Sequence, residues 1–108
     1  MVQYMSQFSY TTDAWAALGI KLADRSKALA ALARKLGAKL ISLNYTMRDW
    51  DGVALIEARD DKTAMAVVMA VLTPGHVRAI KTTRLYTVKE TLTVLRKAGG
   101  VGYSGPKG

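Results

Sequence analysis

Two strand-forming runs, KLISLNYT at 39–46 and DGVALIEA at 51–58, are separated only by Met47, Arg48, Asp49 and Trp50. Four residues make a hairpin connection and are far too few for the crossover that a parallel pair needs, so the two runs pair antiparallel. Every other element has to be arranged around that central hairpin.

Upstream, Val2 to Tyr10 alternates, with Val2, Tyr4, Phe8 and Tyr10 on one face and Gln3, Gln7 and Ser9 on the other, as a half-buried strand does. Thr11 or Thr12 can cap a following helix, with Asp13 in its positive first turn. Trp15, Leu18, Leu22, Leu29, Leu32 and Leu36 recur at helical spacing up to Gly37 and form an apolar stripe. The spacing predicts a break over Gly19 to Asp24, with Asp24 capping a second segment.

Downstream of the hairpin, Asp60 or Asp61 can cap a helix over Lys62 to Thr73 that Pro74-Gly75 ends. Its apolar residues, Ala64 to Leu72, run right round the cylinder, more than one sheet face can hide, so a second copy of the chain is expected against it. Val77 to Thr87 reads as a fourth strand. Thr87 and Glu90 have the spacing of a capping box ahead of Leu92 and Leu95, which predicts a last helix ending at Gly99.

The predicted fold is therefore α+β: a βαββαβ unit with a four-stranded antiparallel sheet, helices on one face, and an added C-terminal helix. Residues 1–98 form a single domain, and 99–108 a glycine-rich tail without the lysine and spacing of a phosphate loop. The second sheet face is either an open binding surface or the seat of another subunit.

Composition narrows the function classes. The 108 residues are half apolar and 22% charged, enough for a self-sufficient core. There is no cysteine, which removes disulfides, thiolate nucleophiles and cysteine-bound metals and suits a cytoplasmic protein. No stretch has the length of a membrane span or the pattern of a signal peptide, so no membrane partner is expected. The net charge of +8 suits anionic partners. Lys21, Arg25, Lys27, Arg34, Lys35 and Lys39 are nevertheless spread along a helix and its exit, as on a solvated basic surface.

The segments FSYTTDAWAAL, DRSKALAALARKLGAKLISLNYTMRDWDGVALIEARDD and GHVRAIKTTRLYT, in this order and spacing, resemble the GYD domain family of small, mostly uncharacterised prokaryotic proteins. The resemblance covers nearly the whole chain. It implies a ferredoxin-like fold of the dimeric α+β barrel kind and no particular reaction. At the Gly-x-Tyr-Asp-like turn that gives the family its name, this chain has Arg48 for the glycine and Trp50 for the tyrosine, and it keeps Asp51.

The chemistry-bearing residues are few. Asp49 and Asp51 are too few oxygen ligands for a magnesium or calcium site, so neither metal nor cofactor is expected. A catalytic role would fall to His76, the only histidine, as a general base, or to Glu57 as a general acid if the third strand buries it. Ser9, Ser42 and His76 are present without a Gly-x-Ser-x-Gly elbow to support a nucleophilic triad.

Strict alternation puts His76, Arg78, Ile80, Thr82, Arg84 and Tyr86 on one face of the fourth strand. Arg78 and Arg84 suit a carboxylate or phosphate, or else an inter-subunit ion pair with Asp51 or Glu57. The expectation is a homo-oligomeric module that binds a small, anionic ligand on the open sheet face. Gln7, Ser9, Asn44, Tyr45, Trp50, Asp51, His76, Arg78 and Arg84 are the candidate ligand-binding residues, with or without cofactor-independent catalysis. The alternative is a single-stranded nucleic-acid binder of the same strand order, which would need stacking aromatics on the third strand; there, WDGVALIEA has Trp50 only at its mouth.

Overall fold

A computed structural model describes residues 1–21 and 23–106. Leu22 of the first apolar stripe, and Lys107 and Gly108 of the tail, lie outside the described residues. The elements are β1 (Val2–Tyr10), α1 (Thr12–Ile20), α2 (Arg25–Lys35), β2 (Lys39–Tyr45), β3 (Gly52–Ala58), α3 (Asp61–Leu72), β4 (Val77–Leu85) and α4 (Val88–Gly99). The four strands form one antiparallel sheet in the order β2-β3-β1-β4, the ferredoxin-like arrangement the sequence predicts.

Local chemistry explains where each helix starts. Thr11, Asp24 and Asp60 accept from the amides of Ala14, Ser26 and Thr63, filling donors that the first turn leaves free. The Thr87–Glu90 capping box is present at α4 in both directions. Gly37 and Gly75, which follow α2 and α3, have φ of 83° and 84°, a conformation glycine adopts without the clash a Cβ brings. Arg48 takes the same left-handed conformation at 79°, which explains why a glycine suits this turn in the family pattern.

Residues opposite one another across an antiparallel ladder share a face. Tyr4, Ser6 and Phe8 of β1 therefore lie beside Ile56, Ala54 and Gly52 of β3 and beside Arg84, Thr82 and Ile80 of β4. This face is covered: Tyr4, Ile56 and Ala58 are buried in one cluster with Ala33 and Ala38 at and after α2, and with Ala64 and Val67 of α3. Fully burying a residue such as Ile56 contributes roughly 1.5–3 kcal/mol. Gly52 is required by close approach, since a Cβ there would come within 2.3 Å of the Phe8 ring.

The other face carries Gln3, Met5, Gln7, Val53, Leu55, Glu57, Thr83 and Leu85 in the same register. α4 buries no residue at all. The radius of gyration is 17.8 Å and the longest extent 62 Å, against about 13 Å expected for a compact domain of this length.

Candidate functional site

The covered face is incompletely filled. α2, α3 and the sheet surround a cavity of about 200 Å³ walled by Phe8, Leu29, Leu32, Ile56, Val67, Val71 and Ile80, with the small side chains Ala28, Ala54 and Ala70 leaving the space. The space is partly open to solvent, an apolar cleft and not a closed interior void. Polar groups are few. Ser6 Oγ is engaged with Thr82 Oγ1 at 2.8 Å. Arg25 and His76, both solvent-exposed, stand at the rim with Tyr10 and Pro74.

Four aromatic rings close the neighbouring end of the sheet. Phe8 and Tyr10 meet edge to face with centroids 5.3 Å apart, Tyr10 and Trp15 at 5.1 Å, and Trp15 and Tyr45 lie tilted at 6.1 Å. The phenols of Tyr10 and Tyr45 are 3.3 Å apart. Burial, and then that hydrogen bond, push the Tyr10 phenol above its ordinary range, while the positive charge of Arg25 acts in the opposite direction.

Asp51 ties this end together. Its Oδ2 accepts from the Tyr10 amide at 2.9 Å and from Trp15 Nε1 at 3.0 Å, and its own amide donates to the Phe8 carbonyl. The aromatic partner of this aspartate is thus Trp15 of α1 and not its neighbour Trp50, whose carbonyl accepts from the Thr46 hydroxyl inside the hairpin. One carboxylate holds β1, the hairpin and α1 in register.

At the opposite end of the sheet, Tyr4 Oη donates to Asp61 Oδ1 at 2.5 Å, and Arg84 Nη1 lies 3.4 Å from the same oxygen. Burial, and then the bond to Asp61, push the Tyr4 phenol up to about 12. The Thr63 hydroxyl and amide hold Asp60 below the usual carboxylate range.

The structure divides the residues that the sequence placed on one polar face. Gln7, Asn44 and Glu57 do share the open face, where Glu57 accepts from Gln3 Nε2 at 3.5 Å. Ser9, opposite Ala79, is only 2% exposed. Tyr45 and Arg84 lie instead on the covered side, opposite Gly52 and Tyr4. Within the chain, Arg84 pairs with Asp61.

A β-irregularity separates the two ends of the row expected along the fourth strand. Ser9 faces Ala79 but Tyr10 faces Val77, so Arg78 is the extra residue and strict alternation fails across it. His76 leaves the strand altogether: its carbonyl accepts from the Thr11 amide and its ring lines the cavity rim. Trp50 and Asp51 sit in and beside the hairpin turn.

Sequence reasoning missed Arg25 and the apolar walls, because a helix-borne cation and a leucine stripe read as solvated surface and core. The signal was the small residue Ala28 beside Leu29 and Leu32 of that stripe. Among the described residues, no three histidine or acidic side chains gather as a metal ion would need. No helix among them is long and apolar enough to cross a membrane. Among the described residues, the paired positions of the open face hold no aromatic side chain of the kind on which sheet proteins stack single-stranded RNA.

A helix-covered, four-stranded antiparallel sheet with this strand order is a ferredoxin-like domain. The chain belongs to the GYD domain family, whose pattern matches residues 4–95. Among solved structures it is similar to MtbAldR, at 16% identity with a TM-score of 0.56 over 80% of this chain and 52% of that one, so it spans about half of that protein's length. It is also similar to TTHA0845 from Thermus thermophilus, at 17% identity with a TM-score of 0.55 over 82% of this chain and 96% of the other. At these identities the likeness is one of fold. No curated protein matches the chain.

Proposed function

We propose that this GYD-domain chain is a small-molecule-binding module that works as a homo-oligomer. The observation that carries the binding reading is the apolar cavity of about 200 Å³ between the sheet and helices α2 and α3. Enclosed apolar cavities of roughly 150 Å³ take up a benzene-sized guest, so by volume this partly open one suits a ligand of about one ring. Ligand sites are concave, mostly apolar and bear a few polar groups at defined places, which matches the rim of Arg25, His76 and Tyr10.

The oligomeric reading is supported by apolar surface that one copy leaves uncovered. On α4, Leu92 and Leu95 are 46% and 59% exposed in a strongly amphipathic helix that buries nothing. On α3, Met65 and Met69 are 59% and 56% exposed at i, i+4 spacing. A second copy covering these stripes and the Met5–Leu55 region of the open face would remove them from water.

Two measurements test the reading. Sedimentation at micromolar concentration is expected to give a dimer or larger species for the native chain and a monomer for Leu92→Asp/Leu95→Asp, and a strictly monomeric native chain would overturn the oligomer. Titration with the neutral ring compound 2-phenylethanol, followed by amide chemical shifts, is expected to perturb residues of α2 and α3 around the cavity. Shifts confined to other surfaces, or no saturable shifts at all, would overturn the binding site.

A further inference from the structure

We infer that the cavity takes a small monocarboxylic acid bearing one ring or a short alkyl chain, with its apolar part inside and its carboxylate at the rim beside Arg25 and His76. The inference rests on the binding reading above and adds the class of ligand. Two features point to it. The interior offers almost nothing polar: Ser6 is the one hydroxyl in the inner wall and is already bonded to Thr82. A ligand with a polar group at its inner end would bury that group without a partner, which costs on the order of 1–3 kcal/mol or more.

The rim has the opposite character. Arg25 is the first residue of α2, and among the described residues no carboxylate lies within ion-pair distance of it. The acidic groups nearest in the chain and around the aromatic end are already engaged. Asp24 accepts from the amide and hydroxyl of Ser26, and Asp51 from Tyr10 and Trp15. The planar guanidinium is therefore free for a bidentate carboxylate, the geometry it serves best. The Tyr10 phenol, its hydroxyl engaged with that of Tyr45, lines the same cavity as a neutral group that does not repel an anion. His76 stands at the same mouth. Inside apolar, outside cationic and donor-rich, the site complements a molecule with one apolar end and one anionic end. A phosphate monoester of the same size carries a second charge, whereas the rim presents one fixed cation.

The experiment compares phenylacetate with 2-phenylethanol, which shares the ring but has a neutral head, by amide chemical-shift titration at low salt. The native chain is expected to bind phenylacetate about tenfold more tightly, the worth of one charge-assisted pair at a partly exposed rim. Arg25→Gln is expected to remove the tenfold preference for phenylacetate over 2-phenylethanol. Ala70→Leu, which fills the cavity, is expected to abolish both; should it fail to fold, Ala28→Leu on the exposed side of the wall serves the same purpose.

Equal affinities for acid and alcohol, both abolished by the filling variant, would overturn the carboxylate class and leave the binding reading standing. A tenfold preference that survives Arg25→Gln would overturn the assignment of the carboxylate to this rim. Binding of neither compound would overturn both readings together.

Discussion

α3 and α4 are each twelve residues long, each begins on a side-chain cap, and each carries branched and long aliphatic residues. α3 buries Thr63, Ala64 and Val67 against the sheet, whereas α4, with the better cap and the sharper division into apolar and polar sides, buries nothing. The difference teaches that the signals that make a helix and the contacts that dock it are separate. Capping and periodicity act over four residues and are complete within α4 itself. Docking needs a complementary surface, which the sheet supplies to α3 and which α4 does not find within its own chain.

The largest effect that sharpens this contrast comes from placing a charge on each helix. Val67→Asp puts an unpaired carboxylate among Ile56, Ala33 and Tyr4 and is expected to cost more than about 3 kcal/mol, abolishing the cooperative urea transition. Read at protein concentrations low enough to dissociate the oligomer, Leu92→Asp is expected to leave the transition of the domain unchanged, because in the single protomer the new charge stands in water. A comparable loss from both would mean that α4 is docked in the same cooperative unit, and the contrast would be gone.

A smaller effect comes from the caps. Asp60→Ala removes the acceptor for the Thr63 amide and hydroxyl and is expected to lower the global unfolding free energy by about 1 kcal/mol. Thr87→Ala removes an equivalent bond, but at the same low protein concentration it is expected to reduce far-UV helicity with no shift of the urea midpoint, since α4 is not held by the core of its own chain. Coincident midpoint shifts in the two variants would break the comparison.

The smallest effect appears only in alkali. Tyr4 joins the sheet to the first turn of α3 through Asp61, and its phenol is raised from 10.0 to about 12. The unfolded chain loses this proton near pH 10 while the folded chain keeps it to about 12, so the unfolded state binds fewer protons in that interval and stability falls as pH rises through it. Tyr4→Phe is expected to flatten the pH dependence of the urea midpoint between those limits. α4 contains no tyrosine, so its helicity is expected to be level over the same range, apart from titration of its basic side chains.

Much of this is legible in the chain. The four-residue gap between KLISLNYT and DGVALIEA forces an antiparallel hairpin; Asp24, Asp60 and Thr87 announce three helix starts; and Gly37 and Pro74-Gly75 announce two ends. The candidate site is less legible. His76 and Arg78 part company with Arg84, because a single extra residue at Arg78 breaks the two-residue period, and no composition signal marks a β-irregularity. Arg84 itself lies on the covered side, since alternation pairs residues on a face without saying which face the helices will cover. Asp51 stands out in the sequence beside Trp50, yet the ring that reaches its carboxylate is that of Trp15, brought in by the packing of α1 on β1.

The sequence by itself determined the succession of strands and helices and the caps, because these depend on local periodicity and on side chains reaching amides three residues away. Only the tertiary structure decided that the apolar stripe of α2 and the small residues of α3 and β3 leave a cleft between them, that Arg25 stands at its mouth, and that α4 finds no partner within its own chain. Those are properties of how surfaces meet. Volume left between packed elements depends on shapes and distances that no single segment contains.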